Sequence, residues 1–458
     1  MSDRLGSLDA AFLELEDAQE AAHMHIGAVM VFEGRPGGPP SLTRLREEIE
    51  HRMHLLPRYA ARLSSAHVPP LRRPTWEPDP SFAVAEHVRR AGLPAPGGER
   101  ELMDWCGEYW SMRLDRSRPL WELVLLEGLE GGRWALATKT HHAMVDGVAS
   151  VGATQVLLDR SRAGSHMPPT SAPPPGERAA GQRLARRLGD LLTNGAELAT
   201  HPAKLLSEAK SAAELVLREE LAPAPASSLN VPIGPHRRYA VARARLSDFK
   251  AIKNALGGTV NDVVLAVVAG GLRRLLSQRG DALPEHGLRA MVPVSLRVGE
   301  DEGELGNRVS SLFVNLPVCE PEPLRRYLVT AGETAELKAE GQARGGAELL
   351  ALAGLAPPLL HSVLARSTTA ARLFNLTVTN VPGPPKPLYA FGSKLEEVLP
   401  LVPLAADHAV GVAVVSYNGH MFFGLSGDER AVPDLDVLSK GIQESIAELR
   451  AEARQACA

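Results

Sequence analysis

Apolar and polar positions along the chain switch between strand-like and helix-like patterns, and the switches outline its elements. Residues 24–32, MHIGAVMVF, are rich in Val and Ile and stop at Glu33-Gly34, which predicts a strand. Residues 41–53 predict a helix with Ser41 at its N-cap, where the hydroxyl can accept from a free backbone N–H. Residues 134–141, WALATKTH, alternate apolar and polar side chains as a half-buried strand does. They run directly into a histidine-rich stretch. Residues 162–178, RAGSHMPPTSAPPPGER, are Pro- and Ser-rich and predict an exposed, polyproline-like linker. A mixed-charge helical stretch follows over 181–220, broken at His201-Pro202, and then a second linker, LAPAPASS, over 221–228. The second half opens with a strand over 239–246 and a short helix over 247–256 capped by Ser247. A long apolar helix follows over 259–276, starting at Thr259 or Asn261, and then strands over 288–296, 312–318, 373–380 and 410–417. No internal repeat of fixed period is present. Helices and strands alternate on both sides of the linkers, which predicts an α/β protein of two layers of similar size. The expected domains are 1–164 and 231–458, joined by a helical linker over 165–230.

A chain of 458 residues is long enough for two cores. Its 50 basic and 54 acidic residues leave a net charge of -4, which argues against nucleic acid as a partner. Cys106, Cys319 and Cys457 are far apart and form neither a disulfide framework nor a zinc knuckle, so a reducing compartment is expected. The N-terminus MSDRLGSLDAAFLELED is acidic and lacks the layout of a signal peptide. No apolar run reaches the roughly 18 residues that span a bilayer. The longest candidate, residues 349–365, is interrupted by Pro357 and Pro358. A soluble or peripheral protein is expected.

The sharpest chemical feature is HHAMVDG at residues 141–147: His141 and His142 at a strand end, then Asp146 and Gly147. A histidine near its ordinary pKa of about 6.5 can take a proton at neutral pH. The same residues also read as a pair of metal ligands or as satisfied core histidines. The metal reading lacks an HExxH motif or a further ligand cluster nearby. There is no G-x-S-x-G elbow for a nucleophilic serine, no Walker A loop and no dinucleotide fingerprint. The inventory is a histidine base without a covalent nucleophile, and it suits direct attack of an acceptor hydroxyl on an activated acyl group.

HHAMVDG resembles the HHxxxDG motif of the bacterial wax ester synthase/diacylglycerol acyltransferase family, within the CoA-dependent acyltransferase superfamily. Further segments agree in order along the chain: LDAAFL from Leu8, MHIGA from Met24, Pro119-Leu120-Trp121, PIGPHRR from Pro232, Asn261-Asp262, SLR ending at Arg297, Gly306-Asn307 and NVPGP from Asn380. The resemblance implies two chloramphenicol-acetyltransferase-like domains, each a mixed sheet with helices, with the active site at their interface. It implies transfer of a fatty acyl group from acyl-CoA to diacylglycerol, giving triacylglycerol, or to a long-chain alcohol, giving a wax ester. His142 would be the general base. His141 and Asp146 would shape the loop, with Gly147 supplying its backbone conformation and Asp146 paired with Arg297. Asn261 and Asp262 would either cap the long helix and support the site or contact the reactants. Pro119, Leu120 and Trp121 would start a strand beside the catalytic loop or line the substrate path. Gly354, within 349–355, is expected on the alcohol-side wall. Arg237-Arg238 reads as a contact for CoA phosphates or as a solvated pair. No metal or cofactor is expected, acyl-CoA being a substrate. A lipid acceptor implies a cytoplasmic protein held peripherally at the inner membrane or a lipid inclusion. The competing expectations are acyl transfer to a non-lipid hydroxyl and a silent lipid-binding homologue.

Overall fold

The computed structural model describes residues 3–5, 7–19, 21–64, 74–145, 156–164, 223–295, 309–343 and 373–456. Its first half comprises β1 (Asp3–Arg4), α1 (Ser7–Ala18), β2 (His25–Phe32), α2 (Leu42–Arg52), β3 (Ala61–Leu63), β4 (Thr75–Pro78), α3 (Val84–His87), β5 (Val88–Gly92), α4 (Glu99–Ser111), β6 (Trp121–Glu127) and β7 (Trp134–His141). The second half comprises β8 (Arg237–Arg245), α5 (Leu246–Leu256), α6 (Val260–Arg279), β9 (Leu288–Ser295), β10 (Val309–Leu316), α7 (Pro323–Ala343), β11 (Leu376–Pro382), β12 (Tyr389–Ala390), β13 (Ser393–Leu401), β14 (Val410–Tyr417), β15 (His420–Asp428) and α8 (Leu435–Ala456).

Among the described residues these strands form two six-stranded mixed sheets and a small three-stranded one. The first large sheet runs β12-β13-β2-β7-β6-β5, the second β10-β9-β11-β14-β15-β8. The first sheet borrows two strands from the second half. β13 lies antiparallel to β2, from Leu395 opposite Phe32 to Leu401 opposite Gly27. The first hydrophobic core accordingly mixes Val29, Phe32, Leu123, Leu125 and Trp134 with Leu395, Leu399, Tyr239 and Phe422. The second core gathers the apolar sides of β9, β11 and β14 against α6 and α8.

The patterned elements form for the expected reasons, with local differences. Ser41 caps α2 by accepting from Arg44 N–H. Thr259 caps α6 in a reciprocal box with Asp262. The run Val263–Val268 is buried along its whole length, so the helix is apolar on every side because it is covered on every side. Helix α5 begins at Leu246, with Arg245 at the cap position and no side-chain cap, so Ser247 does not serve as one. Strand β7 differs from a half-buried strand. It sits between β2 and β6 with both faces covered, and its one lysine, Lys139, is fully buried.

Candidate active site

Strand β7 delivers the histidine pair. Its last residue, His141, donates its backbone N–H to Leu120 O at 2.9 Å, and His142 N–H donates to Met24 O at 2.8 Å. The chain then turns, with Met144 N–H closing on His141 O at 2.9 Å. The two imidazoles part at this point. His142 stacks its ring on Phe12 of α1, 4.1 Å between centroids. His141 is fully buried on the face of the sheet that α4 covers.

His141 is held at both ring nitrogens. Ala143 N–H donates to its Nδ1 at 3.1 Å, so Nδ1 carries the lone pair, and Nε2–H points to Glu16 Oε2 at 3.3 Å. Glu16 is itself buried. Burial alone would raise its pKa, but the hydrogen bond from His141 and the guanidinium groups of Arg116 and Arg113 bring it down to about 2. Those guanidinium groups lie 3.2 and 3.5 Å from Oε2. His25 Nε2 lies 3.6 Å from the other carboxylate oxygen, and Leu114 N–H reaches the same nitrogen at 3.4 Å. Burial lowers the pKa of His25 strongly, reinforced by the positive charges around it, and lowers that of His23 to about 4. A buried carboxylate thus sits behind the histidine pair, within a shell of arginines and imidazoles. Glu16 belongs to none of the sequence motifs. The signal was present: Phe12 and Glu16 are four apart on α1, hence on one face, and a carboxylate on a helix face that also buries Leu13 needs a partner.

Lys139, two residues before His141 on the same face, completes the support. Its ammonium donates to Tyr109 O and Met112 O, both at 2.8 Å, at the C-terminal end of α4, where free carbonyls and the helix dipole favour a cation. Glu122 lies 3.8 Å away, and burial lowers the lysine's pKa to about 8.

The other expected residues divide. Leu120 and Trp121 are buried, and Trp121 begins β6 and donates its indole N–H to Tyr59 O at 2.7 Å. Pro119 stands just ahead of that strand. Asp262 turns away into the helix packing: its Oδ2 accepts Thr259 N–H at 2.7 Å and its Oδ1 accepts the Thr334 hydroxyl at 2.7 Å. Asn380, on β11 at the start of the NVPGP segment, donates its Nδ2–H to Asn261 Oδ1 at 3.4 Å. Arg237 fits neither a CoA contact nor a solvated pair. It is buried and donates to Gly234 O at 2.6 Å and to Ala21 O, while its own N–H meets Ser111 Oγ at 2.8 Å. It ties the second half to the loop ahead of β2 and to α4. Gly107 permits this approach, since a Cβ there would lie 2.6 Å from Arg237 O. Asp146, Gly147, Arg297, Gly306, Asn307 and Gly354, with the whole of 349–365, lie outside the described residues. Among the described residues no grouping of His, Cys, Asp or Glu could hold a metal ion.

Comparison with known proteins agrees with these motifs. Residues 5–264 match the family model described as the wax ester synthase/diacylglycerol acyltransferase catalytic domain. Residues 305–450 match its C-terminal domain. A Mycobacterium tuberculosis protein named as a diacylglycerol O-acyltransferase is 34% identical over 98% of this chain and 96% of its own length. A second from that species is 34% identical over 96% and 97%. The structure of a wax ester synthase/diacylglycerol acyltransferase from Marinobacter aquaeolei VT8 superposes with a TM-score of 0.75 at 28% identity, covering 98% of this chain and 99% of that one. The first condensation domain of the calcium-dependent antibiotic synthetase shares the fold, with a TM-score of 0.64 at 18% identity over 98% and 97% of the two chains. The fold is thus the chloramphenicol-acetyltransferase-like one that the motifs implied, and the chain belongs to the wax ester synthase/diacylglycerol acyltransferase family of O-acyltransferases.

Proposed function

We propose that the protein moves a fatty acyl group from acyl-CoA to a lipid hydroxyl, that of diacylglycerol or of a long-chain alcohol, by direct attack with His142 as general base. The observation that carries this reading is the commitment of both His141 ring nitrogens to protein partners, which leaves proton transfer to His142. The hydroxyl oxygen bonds to the thioester carbonyl carbon as His142 accepts its proton. The tetrahedral intermediate then expels the CoA thiolate, breaking the C–S bond, and the imidazolium returns the proton to sulfur. A positioned base contributes typically about 10²- to 10⁴-fold. Holding both substrates in register and stabilising the oxyanion supply more.

The names of the relatives support both acceptor classes, diacylglycerol for the mycobacterial proteins and wax ester formation for the Marinobacter enzyme. A lipid acceptor places the reaction at a membrane or lipid-inclusion surface on the cytoplasmic side. No single described helix is long and apolar enough to cross a bilayer, so we infer peripheral attachment. The test is incubation of the pure protein with palmitoyl-CoA and, separately, dioleoylglycerol, hexadecanol and a sugar alcohol. Free thiol is followed and the esters are identified by mass. Triacylglycerol or wax ester is the expected product. Ester on the sugar alcohol alone, or no thiol release with any acceptor, overturns the reading.

A further inference from the structure

The face of the first sheet opposite Glu16 and His141 carries an apolar pocket that the mechanism above does not use. Side chains alternate along β7, so Thr138 and Thr140 point away from Lys139 and His141. On their side, α2 and the short turns after it leave a cavity of about 40 Å³ between them and the sheet. Ile49, Met53, Leu56, Leu123 and Leu157 form its apolar wall. Its polar groups have partners in the protein: Trp121 donates its indole N–H to Tyr59 O at 2.7 Å, the Tyr59 hydroxyl shares a hydrogen bond with Thr140, and the Thr138 hydroxyl donates to Ala28 O at 3.3 Å. Glu122 also lines the cavity, and its carboxylate pairs with Arg89 at 2.5 Å and lies 3.8 Å from Lys139. The rest of the wall is hydrocarbon. Its position is specific as well. Thr140 immediately precedes His141, and Trp121 is its register partner on β6. The pocket thus starts at the strand end that carries the histidine pair.

We propose that this pocket receives the acyl chain of the donor and sets its length preference, an inference that rests on the acyl transfer proposed above. The cavity is narrow. About 40 Å³ is little more than the space one water molecule occupies in the liquid, about 30 Å³. Such a slot must widen to take any chain, and one unbranched chain asks less widening of it than diacylglycerol, which brings two. The chain makes room by turning aside Met53 and Leu56. Both are only half-buried, and an unbranched methionine adapts readily.

The experiment compares initial rates of the parent, Met53→Ala and Leu56→Trp over two panels. One runs from butyryl-CoA to stearoyl-CoA with a fixed acceptor, the other from butanol to hexadecanol with a fixed donor. Leu56→Trp should lower the stearoyl-to-butyryl rate ratio by about tenfold or more, since even one methylene in an apolar pocket is worth about 10-fold or more. Met53→Ala should raise that ratio, and the alcohol profiles should stay as in the parent. Thermal melts certify folding, and because the two substitutions act in opposite directions, one of them alone suffices. A shift in the alcohol profile instead would assign the pocket to the acceptor. Unchanged acyl profiles in folded, active variants would mean that no chain enters it. Failure of the underlying reading looks different, because the parent would then make no ester from any pair.

Discussion

Glu16 Oε2 accepts the Nε2–H of His141 at 3.3 Å, and both side chains are buried. The bond fixes the tautomer of His141, leaves Nδ1 to accept from Ala143 N–H, and so sets the turn on which His142 stands. Glu16→Ala leaves a buried N–H without its acceptor and takes a carboxylate from Arg113 and from Arg116, which keeps Asp17, a change of the kind that costs about 3 to 5 kcal/mol. Glu16→Gln keeps an oxygen for His141 and should cost less, about 1 to 3 kcal/mol. Turnover should fall in the same order, with the glutamine variant the more active. Melting temperatures and single-substrate rates decide. An alanine variant as stable and active as the glutamine variant would mean that the carboxylate does not hold the turn.

Acid should destabilise the protein in two overlapping stages. His23 is held at about 4 against an ordinary 6.5, so the unfolded chain binds its proton first, and the stability tied to it is complete above about 6.5 and lost as pH falls through 4. Glu16 is held at about 2 against an ordinary 4.5, so its contribution is complete above about 4.5 and lost as pH falls through 2. Each shift corresponds to about 3 kcal/mol. Denaturant midpoints measured across this range should therefore fall below pH 6.5, and Glu16→Gln should flatten the lower stage while deepening the upper one, because the Glu16 charge raises the pKa of His23. A Glu16→Gln profile that parallels the parent below pH 4.5 would refute the assignment.

The parts of the site carried by contiguous residues were readable in the chain, and those made by distant pairings were not. HHAMVDG announced the histidine pair because strand, turn and chemistry lie within seven residues. Thr259 and Asp262 announced a helix start for the same local reason. Lys139 reads as a polar position of an alternating strand, and its burial follows from α4, some thirty residues earlier, which supplies two carbonyls for its ammonium. The pairing of Leu395–Leu401 with Gly27–Phe32 joins segments more than 360 residues apart, and no periodicity reports it. Arg237 reads as half of a charged pair, yet its partners are backbone carbonyls, which leave no mark on side-chain patterns.

Asp262 should prove structural. One oxygen accepts the Thr259 N–H and the other the Thr334 hydroxyl, which together fasten the start of α6 to α7. Asp262→Ala removes a capping box and a buried hydrogen bond, together about 2 to 4 kcal/mol. Turnover per folded molecule should stay within a few-fold of the parent at a temperature where both are folded. A loss of two orders of magnitude without a lowered melting temperature would instead place this carboxylate among the reacting groups.

The histidine pair should separate stability from chemistry. His141 is fully buried, with both nitrogens bonded, so His141→Ala opens a cavity and removes a hydrogen bond from the buried Glu16 carboxylate, which keeps Arg113 and Arg116. That variant should melt several degrees lower and lose activity in proportion to the loosened turn. His142 is only partly buried, and its ring meets Phe12. His142→Ala should cost little stability. It should nevertheless lower ester formation by at least about 10², because no other group would then take the hydroxyl proton. The readout is thiol release at saturating acyl-CoA beside thermal melts of both variants. Removal of a base also abolishes the rise of rate with pH through the histidine range, whereas loosening of a turn leaves that rise in place. A folded His142→Ala protein that turns over near the parental rate would end the base mechanism, and an inactive His141→Ala protein of parental stability would move the base to the other ring.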